Sequence, residues 1–171
     1  MNRTHRYPIL AAAIALTLVV AAITPAVEKP SSVVAFEQLA SLVGEWQGMQ
    51  GDTEIKLVYT LTADGSALME EFRAAKTAMV TMFTLDGDHI IATHYCSAGN
   101  QPQMVTKSIT EPLAKGLTFS LSSVTGLKTP GDWHNTGLTV TLEDKQHLTQ
   151  VWTYEYDGKK GTNTFHFTRT R

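Results

Sequence analysis

The chain has 171 residues, with 14 Lys and Arg against 16 Asp and Glu, six histidines and one cysteine. That length supports one domain with a real core, and the mild acidity argues against nucleic acid or an anionic membrane surface as partner, because both select basic patches. A lone thiol excludes an internal disulfide, so packing and backbone pairing alone must hold the fold.

Residues 1–26 read as a secretory signal peptide. Arg3, His5 and Arg6 form a basic head, Ile9 to Ile23 an apolar run, and Thr24-Pro25-Ala26 a small-residue exit. The apolar run of 15 residues is shorter than the ~20 that a membrane-spanning helix needs. Cleavage, export to the periplasm or beyond, and no stable membrane insertion are therefore expected. Loss of Arg3 and Arg6 leaves 12 basic against 16 acidic side chains, a net of −4. No cysteine stands directly after the run, which excludes a lipid-anchored form.

Residues 27–33 form a polar tether before the domain proper at 34–171. Val33, Phe36, Leu39, Ala40 and Val43 stand at helical spacing, which predicts a helix over 33–43 with Ser31 or Ser32 as N-cap and Gly44 as its stop. From Glu45 the texture changes to short β-rich runs, predicting strands near 45–50, 54–62, 67–74, 78–85, 89–96, 103–109, 116–123, 136–142, 147–156 and 162–170. Asp-Gly pairs at Asp64-Gly65, Asp86-Gly87 and Asp157-Gly158 supply the positive φ of tight hairpins. An all-β, antiparallel, up-and-down barrel of about ten strands follows, since closure removes the sheet edges. An open sandwich is the alternative, disfavoured by the short, even spacing.

The stretch FEQLASLVGEWQG, Phe36 to Gly48, resembles the opening of lipocalin-like (calycin) barrels, in which a short helix leads into a Gly-x-Trp strand start. The resemblance implies an up-and-down barrel closed at one end by that helix, with a small apolar ligand inside. It also implies structural roles for Gly44 and Trp46, with Arg169 or Arg171 of the last strand packed over the tryptophan. A guanidinium stacked there adds about 0.5–2 kcal/mol of cation–π energy. The segment HYCSAGNQP, His94 to Pro102, is similar to one in small uncharacterised exported bacterial proteins of that superfamily.

In an up-and-down barrel successive turns alternate between the two ends. Connections near 50–53, 75–77, 97–102, 124–135 and 157–161 then share one end, opposite the helix. The two with the most unusual composition, 97–102 and 124–135, are expected to form an open mouth rimmed by Asn100, Gln101, Asp132, Trp133 and His134. Side chains alternate on a strand, so His94 shares a face with Ala92 and Cys96. The small size of Ala92 and Cys96 favours that face inward, leaving room for a guest.

The leading functional expectation is a container for a small, mainly apolar molecule. His94, Cys96, Asn100, Gln101, Trp133 and His134 are its candidate contacts, with Met82 and Met104 among adaptable wall residues. The rivals are a thiol-dependent enzyme using Cys96 with His94 or His134 as its base, and a haem- or metal-binding barrel using His94, Cys96, His134 or His166. A barrel whose rim docks another protein through Trp133 is a third. Paired metal-ligand spacing such as His-x-His or Cys-x-x-Cys is absent from the sequence, so no metal site is assigned. Glu70 and Glu71 point to opposite faces of one strand and do not form a paired acid and base.

Overall fold

The computed structural model describes residues 29–107, 109 and 113–171; the expected signal peptide lies outside them. One helix, α1 (Ser31–Ala40), precedes ten strands: β1 (Gly44–Gln50), β2 (Thr53–Thr62), β3 (Ala67–Ala74), β4 (Thr77–Asp86), β5 (His89–Tyr95), β6 (Gln101–Thr106), β7 (Leu117–Thr125), β8 (His134–Leu142), β9 (His147–Tyr156) and β10 (Lys159–Arg169). All neighbouring pairs are antiparallel, and β10 pairs with β1 to close the barrel. Among the described residues no helix is long and apolar enough to cross a membrane.

The helix differs from expectation at both ends. It starts at Ser31, inside the expected tether, because Pro30 fixes the residue ahead of the first turn. Neither Ser31 nor Ser32 caps it: Ser32 lies within the helix, and its Oγ donates to the Gly87 carbonyl at 2.9 Å instead. Gly44 does not end the helix either. Ala40 is its last residue, and Gly44 opens β1 with φ +131°. A Cβ at that glycine would lie 2.3 Å from the Arg171 carbonyl oxygen. The close approach, together with the backbone angle, requires glycine there.

The helix buries Ala35, Phe36 and Leu39 against one end of the barrel. The Leu113 N–H donates to Gln38 Oε1 at 2.8 Å, and with the Ser32 bond this ties the helix to the β4–β5 turn and to the segment before β7. Trp46 is buried beside it, its indole N–H bonded to the Leu42 carbonyl at 2.8 Å. Arg169 places its guanidinium 4.1 Å from the Trp46 ring centroid. The same guanidinium donates to the carbonyls of Ser41 and Val43, just past the end of α1, and of Lys145 in the β8–β9 turn, at 2.8–2.9 Å. One side chain thus joins the first strand, the last strand and the end of α1. From Trp46 the closed half continues through Leu68, Phe83, Phe119 and Leu148, all essentially inaccessible.

Candidate functional site

Above this apolar floor the inward face changes character. Tyr59 of β2 pairs with Glu70 of β3, Glu70 with Thr81 of β4, and Thr81 with His94 of β5. Four adjacent strands thus carry polar side chains at one level, all pointing inward and all at most 3% exposed. Strand alternation dictates this placement. Leu68, Glu70 and Phe72 share one side of β3, and Ile55, Leu57 and Tyr59 share one side of β2.

These groups form one hydrogen-bonded belt. Trp152 donates its indole N–H to Gln150 Oε1 at 2.9 Å, which orients the amide. Gln150 Nε2 then reaches across the lumen to Tyr59 Oη at 2.8 Å and Glu70 Oε2 at 2.5 Å. Tyr59 donates to the same carboxylate oxygen at 2.5 Å, and Thr81 Oγ1 lies 3.4 Å from Glu70 Oε1. On its other side Thr81 Oγ1 is 2.9 Å from His94 Nδ1. The belt ends at His94 Nε2, which is buried and has no partner among the described residues.

Burial controls the protonation of the belt. Desolvation pushes the Glu70 carboxyl up, against the pull of hydrogen bonds from Tyr59, Gln150 and Thr81. The Tyr59 hydroxyl is raised well above its ordinary value, first by burial and then by the neighbouring Glu70 charge. His94 is pushed down to about 4 by desolvation, so its ring is neutral across the physiological range.

Between the belt and the mouth lies a cavity of about 220 Å³. Phe72, Met79, Trp133, Trp152 and Phe165 supply its apolar walls, and Gln50, Thr77, Asn135 and Asn163 add polar groups. Glu70 and His94 belong to its lining. The His94 and Trp152 rings are tilted against each other, 4.8 Å apart at their centroids.

The loops 97–102 and 124–135 meet at this end. Asn100 Nδ2 donates to the Trp133 carbonyl at 2.6 Å, while Trp133 packs on Tyr154 with ring centroids 5.6 Å apart. Asp132 folds the long loop by accepting from Thr129 Oγ1 and from the Lys128 and Thr129 N–H groups. Those bonds, the Thr129 hydroxyl's first, hold its carboxyl below the usual range. The Asp157 N–H donates to the Gly131 carbonyl, joining the loop to the β9–β10 hairpin.

His94 and Trp133 therefore stand in the cavity lining. Asn100 and His134 are buried in the rim scaffold, where His134 Nδ1 contacts the Asp132 carbonyl at 2.8 Å. Gln101 accepts from Thr125 and donates to the Gly99 carbonyl. Cys96 follows β5 and sits in the turn. Its Sγ accepts from the Ala98 N–H at 3.4 Å, while Nδ1 of His94 contacts Thr81 Oγ1 and Nδ1 of His134 the Asp132 carbonyl. Among the described residues no three His, Cys, Asp or Glu side chains gather as a metal set.

Met104 is wholly buried core, outside the cavity lining. Met82 has the parity opposite to Thr81 and Phe83, and so faces outward; Met79 takes the wall position instead. The sequence MVTMF is apolar on both faces, which hides that parity. Glu70, Gln150 and Tyr59 are the residues that sequence reasoning missed. Their signal was a polar side chain at the apolar parity of a strand, as in Leu148-Thr149-Gln150-Val151-Trp152.

No protein-family model matches the chain, and no curated protein matches it. Solved structures do. Rv2717c from M. tuberculosis superposes with a TM-score of 0.57 at 15% identity, over 80% of this chain and 98% of that one. The likeness shows the fold. A protein of unknown function from the DUF3598 family of Nostoc punctiforme aligns with a TM-score of 0.43 at 16% identity, over 87% of this chain and 53% of its own length.

Proposed function

We propose that the barrel is an exported, lipocalin-like container for a small, mainly apolar molecule. One observation carries the reading: an aromatic-walled cavity of about 220 Å³ whose lining includes a buried imidazole with a free nitrogen. Ligand sites combine apolar walls with a few oriented polar groups, and this lining has that composition. An engineered apolar cavity of ~150 Å³ holds a benzene, so this one takes a guest of one ring with substituents. The basic head and apolar run at 1–26 support export.

A haem would have to be held through His94 Nε2. Its four-ring macrocycle does not fit a cavity of this volume with Trp133 and Phe165 where they stand. Among the described residues Cys96 Sγ has the Ala98 N–H as its hydrogen-bond partner and no histidine, so chemistry there lacks a hydrogen-bonded base.

Native mass spectrometry of the protein purified from its own host is the direct test. A co-purified small molecule is expected, and it should be lost on Ala74→Phe, which fills the cavity beside Phe72. Wild-type protein found repeatedly at its bare mass, or a guest retained equally by the filled variant, would remove the container reading.

A further inference from the structure

The belt has a direction, and the direction names the guest. Trp152 can only donate, so Gln150 must turn its amide N–H groups toward Tyr59 and Glu70. Glu70 Oε2 then receives two donors, from Tyr59 and Gln150, and has no room for a hydrogen of its own. The Thr81 hydroxyl has one hydrogen and two neighbours, Glu70 Oε1 and His94 Nδ1. When Glu70 is ionised and accepts that hydrogen, Thr81 offers His94 a lone pair, and Nδ1 carries the imidazole proton. Nε2 is then an acceptor.

We propose, resting on the container reading, that His94 Nε2 presents a lone pair to the cavity and receives the hydroxyl of a neutral single-ring aromatic guest, a phenol or a close analogue. The ring would lie among Phe72, Trp152 and Phe165. Among the described residues no lysine or arginine lines the cavity, so a guest carboxylate or phosphate would meet Glu70 with nothing there to offset it. An ammonium would find Glu70 Oε2 already holding two donors, from Tyr59 and Gln150. An unmet buried acceptor costs on the order of a hydrogen bond, so a guest that donates to Nε2 gains over the same ring without a donor.

Two measurements test this. The first is the ¹⁵N spectrum of the wild-type imidazole at neutral pH, which reads the tautomer without any guest. Protonated Nδ1 and bare Nε2 are expected; a proton on Nε2 overturns the proposal. The second is titration with phenol and with anisole, the same ring with its donor methylated, followed by Trp fluorescence. Phenol should bind about tenfold more tightly to the wild type, one good hydrogen bond being worth that factor. The preference should vanish in His94→Phe. In Glu70→Gln the new amide can donate to Thr81, turning the chain around, so the preference for phenol should again disappear and the proton should move to Nε2. Equal binding of phenol and anisole by the wild type would overturn the inference while leaving the container intact. Binding of neither would also overturn it, and the native mass measurement would then decide the container separately.

Discussion

Titration of His94 should leave a measurable mark on stability. The side chain is 3% exposed, and desolvation lowers its pKa from 6.5 to about 4. Between those values the unfolded chain holds a proton on this ring and the folded chain does not. Stability must therefore rise with pH across the window and fall as the solution is acidified from 6.5 toward 4. A displacement of about 2.5 units corresponds to about 3 kcal/mol, or a shift of roughly 1–3 M in urea midpoint for ordinary m-values. Glu70 works in the opposite sense. Its raised pKa makes the folded state hold the extra proton, so its contribution declines as pH rises above its unfolded value. Urea unfolding of wild type and His94→Phe across the window separates the two, because Glu70 is present in both. The wild type should lose about 3 kcal/mol more than the variant on acidification. Parallel pH profiles would refute the assignment of a neutral, desolvated imidazole.

Other substitutions test the closed end. Arg169→Lys keeps the charge but loses the planar fork that bonds the carbonyls of Ser41, Val43 and Lys145; a loss of about 1–3 kcal/mol in urea unfolding is expected. A change within about 0.5 kcal/mol would mark these contacts as idle. Gly48→Ala would put a Cβ 2.4 Å from the His166 carbonyl oxygen and 2.7 Å from Phe167 Cδ1, in the three-residue register where β1 meets β10. Overpacking there should cost about 1–3 kcal/mol, and an unchanged thermal midpoint would show that the seam yields freely.

The meander was legible because its signals are local. Asp-Gly pairs at 64–65, 86–87 and 157–158 mark hairpins wherever the chain goes, and runs such as Val151-Trp152-Thr153-Tyr154 favour extended backbone. Alternation of turns between two ends then brings loops 97–102 and 124–135 together, and Asn100 does meet the Trp133 backbone. The helix boundaries were less legible: Ser31 and Ser32 have cap chemistry, but Pro30 sets the first turn and a tertiary bond to Gly87 recruits the Ser32 hydroxyl.

What the residues could not disclose is their partner across the lumen. Glu70 beside Glu71 reads as a charged pair on opposite faces, and the outward one does bond Arg73 at the surface. The inward one acquires its meaning from Gln150, 80 positions away, and from Tyr59 and Thr81 on adjacent strands. Strand parity, hairpin positions and barrel class are properties of short windows, set by backbone sterics and by which face is apolar. The floor, the polar belt and the free nitrogen of His94 depend on register and barrel curvature. Those are fixed only when ten strands close on one another and every buried donor must find an acceptor.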